Sequence, residues 1–280
     1  MSTFEVKTQA EIDALSLDTS AKGRAYFNDT NNSIVAWDGS AWRSWENDGS
    51  FSSGSFPSNS YSASFDGTDD YISIADSDSL SFGDGSSDSP FSITAWIKPD
   101  TSVSGFRIVS KSDASNAEYV FSTDGSGNLR VWICDSTFSN AIGQKTTGGL
   151  TADTWQHVAM TYSGSGASSG IKLYINNAAA SLTDSSSGSY TAMENHSMAV
   201  DIGRLVLSGG TSYADGHMDD VAIIDKELST TELSSIYNSN IYPVETVSLY
   251  RFEGNANDSV GSNNGTGQNS VVLNSTDVRS

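Results

Sequence analysis

Between Ser62 and Ile224 the chain carries ten short apolar runs with no helical pattern among them, and this succession most constrains what it can fold into. In Phe91–Lys98 the residues Phe91, Ile93, Ala95 and Ile97 point one way, while Ser92, Thr94, Trp96 and Lys98 point the other. Ile171, Leu173 and Ile175 alternate with Lys172 and Tyr174 in the same manner. The other runs are Ser62–Phe65, Tyr71–Ile74, Phe106–Ser110, Tyr119–Ser122, Leu129–Cys134, Trp155–Tyr162, Met198–Ile202 and Met218–Ile224, and Gly, Ser, Asn and Asp punctuate them. Each strand has one apolar face and must bury it. The pattern therefore predicts an all-β fold, an antiparallel β-sandwich of two packed sheets.

Composition separates this reading from disorder. Hydrophobic residues are only 36% of the 280, and the net charge is −20, with 34 acidic against 14 basic side chains. Low hydrophobicity with high charge is the signature of an unfolded chain, but six Trp and 10% aromatic residues supply a core. The same charge excludes unselective nucleic-acid binding, which needs Lys and Arg to displace counterions, and disfavours anionic membranes. Cys134 is the single cysteine, so neither an internal disulfide nor a cysteine metal cluster is expected. The N-terminus lacks a basic start followed by an apolar run, and the chain is expected to be made without a secretory signal.

Residues 1–50 read as a separate module. Thr8–Glu11 has capping-box spacing before Ile12 and Leu15, which predicts a small helix; Ala25–Phe27, Ile34–Trp37 and Ala41–Trp45 then predict a β-meander. That unit is too small to be stable alone and should attach to something or oligomerise. Residues 51–60 are Gly/Ser-rich and suit a linker, residues 61–240 form the sandwich, and 241–280 are a C-terminal segment. Ser229–Glu232 is a second capping box, and with Leu233, Ile236 and Tyr237 it predicts a short amphipathic helix from 230 to 238.

Five stretches then resemble a family in its order: Ser64–Ile72 (SFDGTDDYI), Phe91–Pro99 (FSITAWIKP), Trp155–Tyr162 (WQHVAMTY), Lys172–Asn176 (KLYIN) and Gly216–Val221 (GHMDDV) with the helix after it. Together they resemble the laminin-G-like branch of the concanavalin A-like lectin/glucanase jelly roll. The resemblance implies two curved antiparallel sheets, a concave face that commonly holds glycans, and often a structural calcium ion. Leu249–Gly261 with Asn263–Thr266 resembles the segment that usually opens such a module, yet here it follows the domain. Three arrangements are open at this point: a permuted strand closing its own sheet, a strand lent to a neighbouring subunit, or the stub of a second module. Separately, Arg24–Thr30 and Ile34–Trp42 resemble small repeats in bacteriophage tail fibres and surface appendages.

Seven aspartates and no Lys or Arg fall between Asp66 and Asp88, and Asp219 and Asp220 lie on a strand that the family often brings near the opening loop. Calcium takes six to eight oxygen ligands, which loops of Asp and Gly supply. Asp66, Asp69, Asp70, Asp219 and Asp220 are therefore the candidate ligands, against the alternative that they are solvated turn residues capping backbone N–H groups. Trp96, Trp132 and Tyr174 alternate opposite the aliphatic residues of their strands and are the candidate glycan-binding aromatics. No catalytic residue is assigned. The Glu-x-Asp-x-Glu arrangement that the resemblance would demand of a glucanase is missing, His157 sits among apolar neighbours, and His196 and His217 fall in loops.

These readings converge on a non-enzymatic bacteriophage surface protein, a capsid decoration or a tail appendage. Residues 1–50 would join it to other virion proteins, its sandwich would face cell-surface glycans, and it would form a homo-oligomer. The alternatives are a calcium-dependent carbohydrate-binding module of a non-viral surface protein, and a polysaccharide hydrolase or lyase.

Overall fold

The structure, a computed structural model, describes residues 59–279 in full and, before them, the backbone of four strands. The chain divides between Ser58 and Asn59 into two compact units. In the first, β1 (Glu5–Lys7), β2 (Ala25–Asn28), β3 (Ser33–Trp37) and β4 (Trp42–Trp45) form one sheet in sequence order. β1 runs parallel to β2, and β2, β3 and β4 form an antiparallel meander. The helix expected around Thr8–Leu15 and most of the 51–60 linker lie outside the described residues.

The second unit is all-β apart from one α-helix and two short 3-10 turns, and its strands form two eight-stranded sheets. Sheet I contains β5 (Ser62–Asp66), β7 (Phe91–Pro99), β12 (Gln156–Tyr162), β13 (Ile171–Ile175), β14 (Ala178–Ala179), β19 (Asp215–Ile224), β20 (Thr246–Tyr250) and β22 (Val272–Ser275). Its order is β14-β13-β12-β7-β19-β5-β22, with β20 also paired to β19. Sheet II contains β6 (Tyr71–Ile74), β8 (Arg107–Ser112), β9 (Ala117–Thr123), β10 (Asn128–Cys134), β11 (Ala141–Gly149), β15 (Leu182–Asp184), β16 (Val200–Ile202) and β21 (Gly265–Gln268). Its order is β15-β11-β10-β9-β8-β16-β6-β21. A hairpin of β17 (Arg204–Leu207) and β18 (Gly210–Tyr213) is tied to sheet II, because Ser110 and Ser112 donate to the carbonyls of Arg204 and Val206.

The alternation read in the sequence decides which side chains meet. Ile93, Ala95 and Ile97 of β7, Val158 and Met160 of β12, and Ile171 and Leu173 of β13 turn inward onto Ile72, Ile74, Tyr119, Phe121, Val131 and Ile133 of sheet II. Phe82 stacks on Phe91 at 4.4 Å between ring centroids. Strand β11 was not anticipated, since its sequence AIGQKTTGG contains three glycines and few apolar residues. It pairs with β10 from Asn128–Gly149 to Cys134–Ala141, so its neighbours supply the pattern that it lacks.

Sheet I is covered on its outer face too. Helix α1 (Thr230–Ser239) starts at Ser229 with both arms of the capping box formed, as the sequence predicts. Leu233 and Ile236 bury against Ala159, Tyr174, Ala222, Ile224 and Leu249 in a second apolar cluster. Each such burial contributes about 1.5–3 kcal/mol.

The C-terminal segment completes both sheets within its own chain. β20 pairs with β19, β22 with β5, and β21 with β6, so the last two strands put one strand on the edge of each sheet. β19 makes room for this by a bulge. Asp219 faces Trp96 and Ala222 faces Thr94, so Asp220 is an extra residue and adopts a φ of 45°. Before the bulge β19 pairs with β5, and after it with β20. The fully buried Asp220 carboxylate meets Arg251 Nε at 3.2 Å and is also bonded by Arg279 Nη2. Removing one partner of such a pair leaves a buried charge without compensation, so Asp220→Ala is expected to cost about 3–5 kcal/mol in urea unfolding.

Asp219 beside it is buried as well, and burial, followed by repulsion from Asp220, pushes its carboxyl well above the ordinary 3.8. The folded protein then holds a proton that the unfolded chain has lost, so this group's contribution to stability falls as pH rises from 3.8 through the folded value. Asp219→Asn removes that term. Melting temperature against pH is expected to be flatter for the variant above pH ~5, and identical slopes would refute the assignment.

Candidate functional site

The structure separates the residues that the sequence grouped. Asp66, Asp69 and Asp70 do cluster in the β5–β6 loop, with potential ligand oxygens within 4.8 Å of one another. Asp219 and Asp220 do not join them. They sit at the β19 bulge, where Arg251 and Arg279 face them, so the five expected carboxylates are not brought together and only the three loop residues cluster.

The glycan-binding aromatics are likewise divided. Trp96 and Tyr174 lie on the outer face of sheet I, where Trp96 stacks on Tyr237 of α1 at 5.5 Å and Tyr174 is buried under the same helix. The helix covers Tyr174 and packs Tyr237 on Trp96, which stays half-buried. Trp132 is on the outer face of sheet II, half-buried, with its indole N–H donating to the Ser185 carbonyl. His157 is buried beside Trp96 and Arg279, and burial holds its imidazole down at about 3, so it stays neutral in a structural position. Burial also pushes the Cys134 thiol up to about 12, which leaves it unreactive.

With the outer face of sheet I closed, a cavity opens at the rim, where β5, β8, β18 and β19 end. Its volume is about 260 Å³, and it is lined by Asp66, Gly67, Ser102, Ser104, Gly105, Phe106, Tyr213 and Asp215. Asp66 and Asp215 face each other across the β5–β19 ladder. Desolvation first, then the nearby Asp100 and Asp66, raise the Asp215 carboxyl above its ordinary range. Gly67 turns the chain out of β5 with a φ of 74°, and its N–H donates to the Ala214 carbonyl at 2.9 Å. A Cβ at Gly67 would lie 2.9 Å from the Asp215 Cβ, so only glycine lets the two loops meet.

The aspartate loop beside the cavity is held by its own backbone and by the turn between β21 and β22. Asp66 Oδ1 accepts from the Thr68 and Asp69 amides, and the Thr68 bond leads the effects that lower its pKa. Asp70 accepts from the Asp66 and Ser270 amides. Asn269 donates to the Asp69 carbonyl at 2.5 Å. A carboxylate offers about four lone-pair sites, so these bonds leave oxygens of Asp66 and Asp69 facing solvent and able to take a hard cation. The donor set fits calcium.

Comparisons with known proteins agree with this architecture. The Laminin_G_3 family, described as the concanavalin A-like lectin/glucanases superfamily, matches residues 66–234, which is more than half of the chain. The chain belongs to the concanavalin A-like lectin/glucanase superfamily. No curated protein matches the sequence. Among solved structures, a candidate carbohydrate-binding protein from Bacteroides ovatus superposes with a TM-score of 0.52 at 17% identity, over 76% of this chain and 60% of that one. The chain thus spans less than two thirds of that protein's length. A heptameric SAP-like pentraxin from Limulus polyphemus is similar at a TM-score of 0.49 and 17% identity, over 76% of this chain and 94% of its own. Domain 4 of an extracellular arabinanase from Geobacillus stearothermophilus, solved with arabinotriose, gives 0.42 and 14%, over 77% and 81%. At these identities the likeness concerns the fold alone.

The sequence pointed to Asp66 in this superfamily member, but not to Ser102, Ser104, Tyr213 or Asp215. Asp215 stands one residue before the GHMDDV stretch, and Tyr213 ends a hairpin with no apolar alternation to mark it. Gly67→Ala is expected to destabilise the protein by about 1–2 kcal/mol in urea unfolding, because it forces an L side chain into left-handed backbone beside Asp215.

Proposed function

We propose that this chain is a non-enzymatic carbohydrate-binding protein that takes a sugar residue in the rim cavity. One observation carries the reading: the rim cavity combines the hydroxyls of Ser102, Ser104 and Tyr213 with the carboxylates of Asp66 and Asp215. Sugar hydroxyls donate to carboxylates and exchange bonds with serine and tyrosine, and an aromatic ring gives the apolar sugar face a surface. The volume lies just below the roughly 300 Å³ at which drug-sized ligand pockets begin, which suits one residue of a glycan.

Calcium is part of the proposal. Asp66, Asp69 and Asp70 would hold it, which would fix the loop that forms one cavity wall. A surface role on a bacteriophage particle, attached through residues 1–50, is the proposed setting. It rests on the likeness of Arg24–Thr30 and Ile34–Trp42 to phage appendage repeats and on the separate compact unit that contains them.

A glycan array, run with calcium and again with EGTA, tests the reading. The expected result is binding that weakens in EGTA and is lost in Tyr213→Ala and Asp215→Ala, with no reducing ends released from the bound polysaccharide. Silence of the folded wild type on an array that includes bacterial surface sugars would overturn it. For the cation, calcium at about 100 times its dissociation constant is expected to add about 2.7 kcal/mol of stability to the wild type and much less to Asp69→Ala. Equal melting with and without calcium would remove the ion from the proposal.

A further inference from the structure

The outer face of sheet II carries two arginines that stand outside any direct ion pair. In residues 59–279 every lysine has a carboxylate within 4.0 Å: Lys98 with Asp277, Lys111 with Glu118, Lys145 with Asp124, Lys172 with Glu227 and Lys226 with Glu232. Arg204, Arg251 and Arg279 are paired as well, with Asp201 and Asp220. Arg107 and Arg130 alone have no carboxylate at that distance among the described residues. In a chain with 34 acidic and 14 basic side chains, a cation outside any direct ion pair runs against composition.

The two arginines are also neighbours on one face. Arg107 of β8 and Arg130 of β10 both pair in register with Ser122 of β9, which puts all three side chains on the side opposite Phe121. Their Cα atoms are therefore two strand spacings, about 10 Å, apart. Arg107 is held by Nε to Ser212 Oγ at 2.9 Å and by a longer contact to the Thr123 carbonyl. The Arg130 guanidinium lies 3.9 Å over the Trp132 ring, which fixes it without neutralising it. Ser122 between them is fully buried, and its hydroxyl has no hydrogen-bond partner. The two half-buried guanidiniums on either side of it leave donors on one face that no carboxylate among the described residues takes up directly.

Burial lowers both guanidinium pKa values, that of Arg107 to about 10 with a further contribution from Arg130, while the Asp124 carboxylate opposes the fall at Arg130, so both remain charged at neutral pH. The pair also adjoins the rim cavity. Arg107 follows the cavity residue Phe106 directly, its anchor Ser212 precedes the cavity residue Tyr213, and a Cβ at Gly105 would lie 3.3 Å from its Nη2. The Asp215 carboxylate would repel an anionic substituent inside the cavity, so such a group is placed beyond Gly105, on the arginines.

We infer that Arg107 and Arg130 bind the carboxylate or sulfate of an acidic sugar, so that the glycan taken by this protein is an anionic polysaccharide. This inference rests on the carbohydrate-binding reading and specifies its ligand. The net charge of −20 does not oppose it at physiological salt, because charges farther than about 8 Å from the ligand are screened.

Affinity electrophoresis of the full chain against polygalacturonate, dextran sulfate and neutral arabinan and dextran tests it, together with Arg107→Gln, Arg130→Gln and Arg130→Lys. The expected result is retardation by an acidic polymer that falls at least about tenfold in each Gln variant, is partly kept in Arg130→Lys, and weakens as salt rises to about 0.5 M. Retardation by polygalacturonate alone assigns the site to carboxylates, by dextran sulfate alone to sulfates, and by both to either group. Thermal shift in galacturonate or inorganic sulfate supplies a second readout: the ligand of the assigned class raises the wild-type melting temperature and leaves that of Arg130→Gln unchanged. Binding to neutral polymers alone, or acidic binding unchanged in the folded Gln variants, overturns the inference and leaves the carbohydrate-binding reading standing. No retardation by any polymer overturns both.

Discussion

The buried Asp220 carboxylate is the point on which the sandwich depends. It sits at the one-residue bulge where β19 exchanges β5 for β20 as its neighbour, and it meets Arg251 just after β20 and Arg279 near the C-terminus. Three stretches of chain, more than 50 residues apart at their extremes, are thereby tied to one carboxylate. A charge buried this deeply is costly unless it is paired and hydrogen-bonded. The bulge thus requires the C-terminal segment, and that segment in turn closes the edges of both sheets. An unpaired edge would otherwise offer a template for aggregation, and the β21–β22 pair covers one on each side.

Closing the edges and covering sheet I leave few surfaces for function. Helix α1 seals the outer face of sheet I with Leu233 and Ile236, and it draws Trp96 and Tyr174 into the structure with Tyr237 above Trp96. The open chemistry then lies at the rim, around Asp66 and Asp215, and on the outer face of sheet II, around Arg107 and Arg130. These two regions differ in charge, and the strands of one lead into the other: β8 brings Arg107 next to Phe106, and β18 brings Ser212 next to Tyr213. A ligand with neutral hydroxyls at one end and an anionic group at the other matches that arrangement.

Much of the fold was legible because alternation in a strand maps directly onto its faces. Phe91, Ile93, Ala95 and Ile97 occupy the core as their spacing requires, and Ser229–Glu232 caps the helix that its pattern announces. Strands β11 and β18 were not legible because Gly, Ser and Thr dominate them, and β15 and β17 because three and four residues are too few to show an alternation. The site was read in part. Asp66, Asp69 and Asp70 are close in sequence, and a tight loop keeps them close in space. Asp219 and Asp220 share their residue type but not their surroundings, since paired arginines from distant segments decide what a buried carboxylate does.

By itself, the sequence determined the two-sheet architecture, the position of helix α1 and the acidic loop, because each rests on residues within a few positions of one another. The tertiary structure alone decided which aromatic rings are covered, where the cavity opens, which strands the C-terminus completes and which two arginines among the described residues stand outside direct ion pairs. Each of those depends on distances between segments far apart in the chain, and a local pattern of side chains does not contain them.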